Sequence, residues 1–158
     1  MKQVARALAG LVLAGALTVG GWKPATAATP QVPTGWNIAR TALAYAGYKY
    51  AYVGDTPWTG FSCVGLVSWV YRQYGIWVPE SVAIMAYRYP YVAPANLQPG
   101  DLLLFTNTFF AGWSHVAIYI GNGQMVGADN FVVGVHIDSI WDPYWYSHWS
   151  SSVRVLSY

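Results

Sequence analysis

Residues 60–70 read GFSCVGLVSWV and hold the chain's only cysteine, Cys63, where a small polar residue gives way to an apolar run. Ser62 suits a helix N-cap, because its hydroxyl accepts a hydrogen bond from a backbone N–H that the helix leaves without a partner. Cys63 is then the first helical residue, and Phe61 and Leu66 fall where a hydrophobic staple fixes the entry of the chain. Leu66, Trp69 and Val70 share one face of a helix predicted from about Cys63 to Tyr74 and ended by Gly75. A cysteine serving the core would sit on that stripe, whereas Cys63 lies a turn ahead of it, at the open end. There the orphan N–H groups and the macrodipole favour a thiolate, lowering a free pKa of about 8.5 by one to several units. The placement favours a nucleophile over a buried inert thiol or an intermolecular bridge.

Outward from this helix the pattern divides in two. Ile38, Thr41, Ala42 and Tyr45 recur at helical spacing and predict a first helix over Asn37–Ala46, followed by YKYAYVGDTPWTG, an aromatic extended piece entering a loop. Pro79 to Tyr87 predicts a short third helix, with Pro79 at its start and Glu80 in its first turn, near the positive end of the dipole. The period then changes. LQPGDLLLF, SHVAIYI, QMVGADN and VVGVHID read as four strands of an antiparallel meander, the second and third joined through Gly121-Asn122-Gly123. Helices first and sheet afterwards is an α+β pattern.

With 158 residues the chain has length for one domain with a core. Lys2 and Arg6, the apolar run Ala7–Val19 and the small residues Ala25-Thr26-Ala27 are expected to form a secretory signal peptide over 1–27, leaving a single domain over 28–158. The apolar run is shorter than the roughly 20 residues of a membrane span, and no cysteine near the cleavage point offers a lipid attachment atom. The expected product is a soluble monomer of the extracellular or periplasmic envelope, without a stable membrane anchor. Its five basic residues stand against six acidic ones, since three of the eight Lys and Arg precede Ala28, so no basic stripe supports nucleic-acid binding. The three histidines and the cysteine show no short ligand spacing, which argues against a zinc site, and no cofactor or metal is expected.

A nucleophilic cysteine needs a base, and the chain offers His115, His136 and His148. Only His115 opens a predicted strand, from whose end an imidazole reaches a helix packed on the sheet. His136 and His148 read as structural. FSCVGLV, LQPGDLLLF and SHVAIYIGNGQMV, in that order, resemble the catalytic domain of NlpC-type cell-wall cysteine peptidases over about Trp36–Leu156. That resemblance implies a papain-like α+β fold, N-terminal helices packed on a C-terminal antiparallel sheet, and hydrolysis of peptide bonds in peptidoglycan stem peptides, typically at D-glutamate or meso-diaminopimelate. It assigns Cys63 as nucleophile, His115 as general base, and Tyr50, in YAYVG, as the tyrosine that helps hold the oxyanion.

Three positions depart from the family pattern. Ser62 replaces the usual Asp, which caps a helix equally well, and Val64 replaces a Ser. Gly127 stands twelve residues after His115, where the family carries a third polar residue that orients the base. A three-residue turn at 121–123 would bring Asp129 opposite His115, and a two-residue turn would bring Asn130 there. Both residues also suit the turn before Phe131. Asp129 is the expected substitute. Two other readings stay open: a catalytically silent relative that binds wall peptides, motivated by Gly127, and an amidase or acyltransferase on the same fold. Rearranged acyltransferases place histidine before cysteine, the reverse of the order here.

Overall fold

The computed structural model describes residues 32–156, so the leader expected over 1–27 lies outside the described residues. The first helix, α1 (Gly35–Leu43), opens with a reciprocal cap: the Thr34 hydroxyl accepts from the Asn37 N–H, and the Asn37 side-chain Oδ1 accepts from the Thr34 N–H at 2.8 Å. The aromatic stretch after it folds into a two-stranded ribbon, β1 (Asp55–Thr56) with β2 (Gly60–Phe61). Helix α2 (Cys63–Arg72) follows directly, beginning at the residue its cap predicts.

Helix α3 (Val82–Arg88) starts later than the sequence suggests. Its cap is Ser81, whose hydroxyl accepts from the Ile84 N–H, so Pro79 and Glu80 lie in the approach to the helix rather than in its first turn. A hydroxyl able to bind an orphan N–H outweighed the preference of proline for the first helical position.

The second half forms a five-stranded antiparallel sheet in the order β6-β5-β4-β3-β7. Four strands are those read from the alternation: β3 (Leu102–Thr106), β4 (Trp113–Gly121), β5 (Gln124–Asn130) and β6 (Gly134–Ser139). Two elements were not anticipated, α4 (Pro143–His148) and β7 (Trp149–Val153), which returns to pair with β3. The sheet therefore divides two apolar layers, as strand alternation dictates. Leu102, Leu104, Val116, Ile118 and Val126 face α1 to α3 together with Leu66 and Val70; Leu103, Phe105, Ala117 and Met125 face Trp145 of α4. This is the expected α+β arrangement, helices against a C-terminal antiparallel sheet. Among the described residues no helix is long and apolar enough to cross a membrane.

Candidate active site

The site is assembled at the start of α2. The Ser62 hydroxyl accepts from the Gly65 N–H at 3.1 Å and donates to the Gly54 carbonyl at 3.2 Å, tying the helix entry to the preceding loop. Gly65 is required there: a Cβ would stand 2.0 Å from the Gly54 carbonyl oxygen, so only glycine lets the first turn approach so closely. The same loop is held to β2 by a bridge between Tyr50 and Phe61 and by the Ala51 N–H on the Phe61 carbonyl at 2.9 Å. These contacts bring Tyr50 beside Cys63, which remains partly exposed at the helix mouth.

His115 approaches from β4 and is fully buried. Its ring stacks on Trp145 with centroids 5.0 Å apart and planes at 27°, and Phe105 and Phe109 close two further sides at 5.7 and 5.8 Å. Nε2 lies 3.2 Å from Asp129 Oδ1, which leaves Nδ1 for the Cys63 sulfur. Neither ring nitrogen meets a partner at the angles of a linear hydrogen bond, a slack resting geometry that catalytic contacts often show before substrate tightens them.

Asp129 reaches the imidazole through two features of β5. The ladder pairs Ile118 with Val126 and Tyr119 with Met125, the register that sets Asp129 opposite His115, although the turn itself closes as Gly121 against Gln124 after a bulge. Against β6 a second bulge falls between Ala128 and Asn130, leaving Asp129 as the extra residue; bulges re-aim a side chain in this way. Gly127 then matters for what it lacks. A Cβ there would stand 2.7 Å from Asp129 Oδ1 and 3.1 Å from His115 Nε2, so a side chain at 127 and the Asp129 carboxylate compete for one space. Asn130 turns away to accept from the Val132 and Val133 N–H groups at 2.8 and 3.1 Å, the turn role its residue type suggests.

The electrostatics follow from this packing. Burial alone would push the Cys63 thiol up, but His115 and the backbone N–H groups of Val116 and Val64 outweigh it and hold the thiol below its ordinary value. Burial alone would likewise lower His115; Asp129 and Cys63 reverse that and raise it to about 9. Both shifts favour the thiolate beside imidazolium over the neutral pair. Asp129 is held above the usual carboxylate range, first by burial and then by the neighbouring Asp138, against the lowering pull of His115. Tyr50 is raised by burial and by the Cys63 and Tyr52 charges, so its hydroxyl keeps its proton.

A cleft of about 500 Å³ opens onto the sulfur, walled by Tyr50, Phe109, Phe110, Trp113 and Phe131, with Glu80 the one charged lining residue among the described residues. The other candidates lie elsewhere. His148 donates its Nδ1–H to the Tyr144 carbonyl, 2.7 Å away on the surface. Asp101 accepts from Arg154 Nε at 2.7 Å and from the Gln98 N–H at 2.7 Å, a buried turn anchor at the start of β3. Trp145 was not singled out from the sequence; Asp142-Pro143, a cap followed by a proline, was the signal of its helix.

Comparison with known proteins matches the NlpC/P60 family over residues 47–154, and the chain belongs to that family. It is 38% identical over 125 residues to the gamma-DL-glutamyl hydrolase of Bacillus subtilis (strain 168), covering 78% of this chain and 28% of that protein. It is 32% identical over 120 residues to the bifunctional muramidase/DL-endopeptidase CwlT of the same strain, covering 75% and 36%. The chain thus spans roughly a third or less of these relatives. Among solved structures it is similar to an NlpC/P60 family protein from Bacillus cereus ATCC 10987, with TM-score 0.75 and 26% identity over 80% of this chain and 42% of the other. A protein described as similar to lipoprotein, NLP/P60 family, from Staphylococcus aureus subsp. aureus Mu50 aligns with TM-score 0.70 and 31% identity, over 78% and 42%.

Proposed function

We propose that this NlpC/P60 chain is a secreted cysteine endopeptidase that hydrolyses peptide bonds in peptidoglycan stem peptides. The observation that carries the reading is the line from Cys63 through His115 to Asp129, ending at an open cleft. The Cys63 thiolate attacks the carbonyl carbon, and the electron pair moves to oxygen. That oxyanion is received by the Cys63 backbone N–H at the helix mouth and by the Tyr50 hydroxyl, whose raised pKa keeps its proton available. As the C–N bond breaks, His115 gives its proton to the leaving amine, and a thioester remains on Cys63. Water, losing a proton to His115, attacks the thioester; the acid product leaves and the thiolate is regenerated beside imidazolium. Asp129 holds the ring and balances its charge throughout.

The name of one Bacillus relative, the gamma-DL-glutamyl hydrolase, supports a glutamyl bond as the one cleaved. A silent peptide-binding relative was suggested by Gly127, and the carboxylate of Asp129 in the space beside that glycine supports the active reading instead. The test is incubation of the purified chain with muropeptide digests and identification of products by mass. Cleavage by the wild type that disappears in Cys63→Ala supports the proposal. Tight peptide binding without cleavage by the wild type would replace it with the silent reading.

A further inference from the structure

His136 and Asp138 take no part in the line from Cys63 to Asp129, yet strand pairing carries them to its outer end. Gly127 pairs with His136 and Met125 with Asp138, so both side chains rise on the sheet face that carries Gly127 and, two residues on, Asp129. A carboxylate oxygen of Asp129, one of Asp138 and a ring nitrogen of His136 lie within 4.8 Å of one another, and His136 Nδ1 is 3.2 Å from Asp138 Oδ1. Side-chain exposure rises along this row, from 5% at Asp129 to 21% at Asp138 and 51% at His136, because β6 is an edge strand of the sheet. Helix α4 packs on the same face, but its polar groups are engaged locally: Asp142 accepts from the Tyr144 N–H, and His148 donates to the Tyr144 carbonyl. The charged groups that act on Asp129 are therefore His115 from β4 and Asp138 from β6, with His136 behind Asp138.

Two carboxylates beside each other in one site do not ionise independently; each strengthens the other's hold on a proton. Asp129 is the buried member of this pair, and Asp138 adds to the burial that already disfavours its charge. On the inner side His115 relieves Asp129. On the outer side the His136 imidazole lies against Asp138 and draws its negative charge away from Asp129. The charge of Asp129 thus depends on two residues that never approach the sulfur.

We propose that Asp138 and His136 are positioning residues, which set the charge of Asp129 and so its hold on the His115 ring. With Asp138 gone, Asp129 ionises more readily and keeps its grip on the imidazolium to lower pH. With His136 gone, Asp138 turns its full charge on Asp129, which then takes up a proton at higher pH. Under the catalytic reading above, on which the kinetic consequence rests, a protonated Asp129 no longer balances the imidazolium, so the acid limb of the rate profile follows the titration of Asp129.

The test is the titration of the Asp129 carboxyl carbon by NMR in the full chain, beside the pH profile of kcat/KM on a synthetic stem peptide. In Asp138→Asn the Asp129 titration should fall by about one pH unit, and in His136→Leu it should rise. On the Asp138→Asn background His136→Leu should add nothing, because His136 acts through Asp138. The acid limb of kcat/KM should move with Asp129 in each variant, downward in Asp138→Asn and upward in His136→Leu. A merely structural role would lower turnover in both variants without moving the limb in opposite directions. An Asp129 titration that stays in place in both single variants, or moves the same way in both, overturns the proposal. Normal turnover with titration and acid limb unmoved refutes the positioning role alone; opposite shifts of the Asp129 titration, with no turnover by any form, refute the hydrolase reading alone.

Discussion

An alanine at position 127 would place its Cβ 2.7 Å from Asp129 Oδ1, and ordinary contact begins at 3.4 Å, so the carboxylate oxygen must withdraw by about 0.7 Å. The neighbour that gives way is the end of a side chain rather than backbone, and the third contact, Ala117 Cβ at 3.4 Å, is already comfortable. Strain is therefore small, and the loss of glycine's freedom in the unfolded chain contributes an offsetting ~0.4–1 kcal/mol, which leaves stability close to wild type. Catalysis responds differently. Misplacing a catalytic partner by about 1 Å costs up to 10²-fold in rate, and the expected loss in kcat for Gly127→Ala is about 10–100-fold. The His115 titration, followed by NMR, should move down from about 9, because Asp129 is one of the groups that raises it. On an Asp129→Ala background, alanine at 127 should cost far less, since the tightest contact is gone and only that with His115 Nε2 at 3.1 Å remains. Full turnover with an unchanged imidazole titration, or an equal loss in both backgrounds, would refute the reasoning.

Asp129→Ala should slow turnover strongly, by about 10²–10⁴-fold, while Asn130→Ala, which removes only the acceptor of the Val132 and Val133 N–H groups, should cost less than about tenfold; steady-state kinetics on a synthetic stem peptide separates the two. The raised His115 contributes stability that is complete below pH 6.5 and is lost as pH climbs through its folded value of about 9, whereas the lowered Cys63 contributes stability that is present above 9.0 and is lost as pH falls, so the two groups oppose each other in the pH dependence of wild-type melts. In Cys63→Ala the imidazole loses one of the two partners that raise it, so His115 followed by NMR should titrate below the value of about 9 it has in the parent. Trp145→Ala removes the ring stacked on His115 and should destabilise by ~3–5 kcal/mol in denaturant unfolding, with Trp145→Phe restoring most of that loss.

Much of this molecule is written locally. Ser62 sets the start of α2 because a hydroxyl and an orphan N–H are neighbours in sequence, and strict alternation in SHVAIYI and QMVGADN names both strands and the faces they present. The pairing of Asp129 with His115 is legible one step further, through the register of a hairpin. What was hidden depends on distant chain. The Trp- and Tyr-rich tail 141–153 has no period of its own, and its division into α4 and β7 is decided by the free edge of β3 and the apolar face that Trp145 covers. The bulge that turns Asp129 inward needs β6 as well as β5, and the aromatic walls of His115 come from three separate elements. The approach of His136 and Asp138 to Asp129 likewise exists only across strands, where His and Cys spacing along the chain shows nothing.

The pairing of sulfur and imidazole is most directly measured by the rate of Cys63 alkylation as a function of pH, in the wild type and in His115→Ala. The wild type should show a reactive thiolate below pH 9.0, with a second change near 9 as His115 loses its proton, and the variant should need a higher pH to react. A single ionisation at the ordinary thiol value, identical in the two proteins, would mean that Cys63 is not activated by His115.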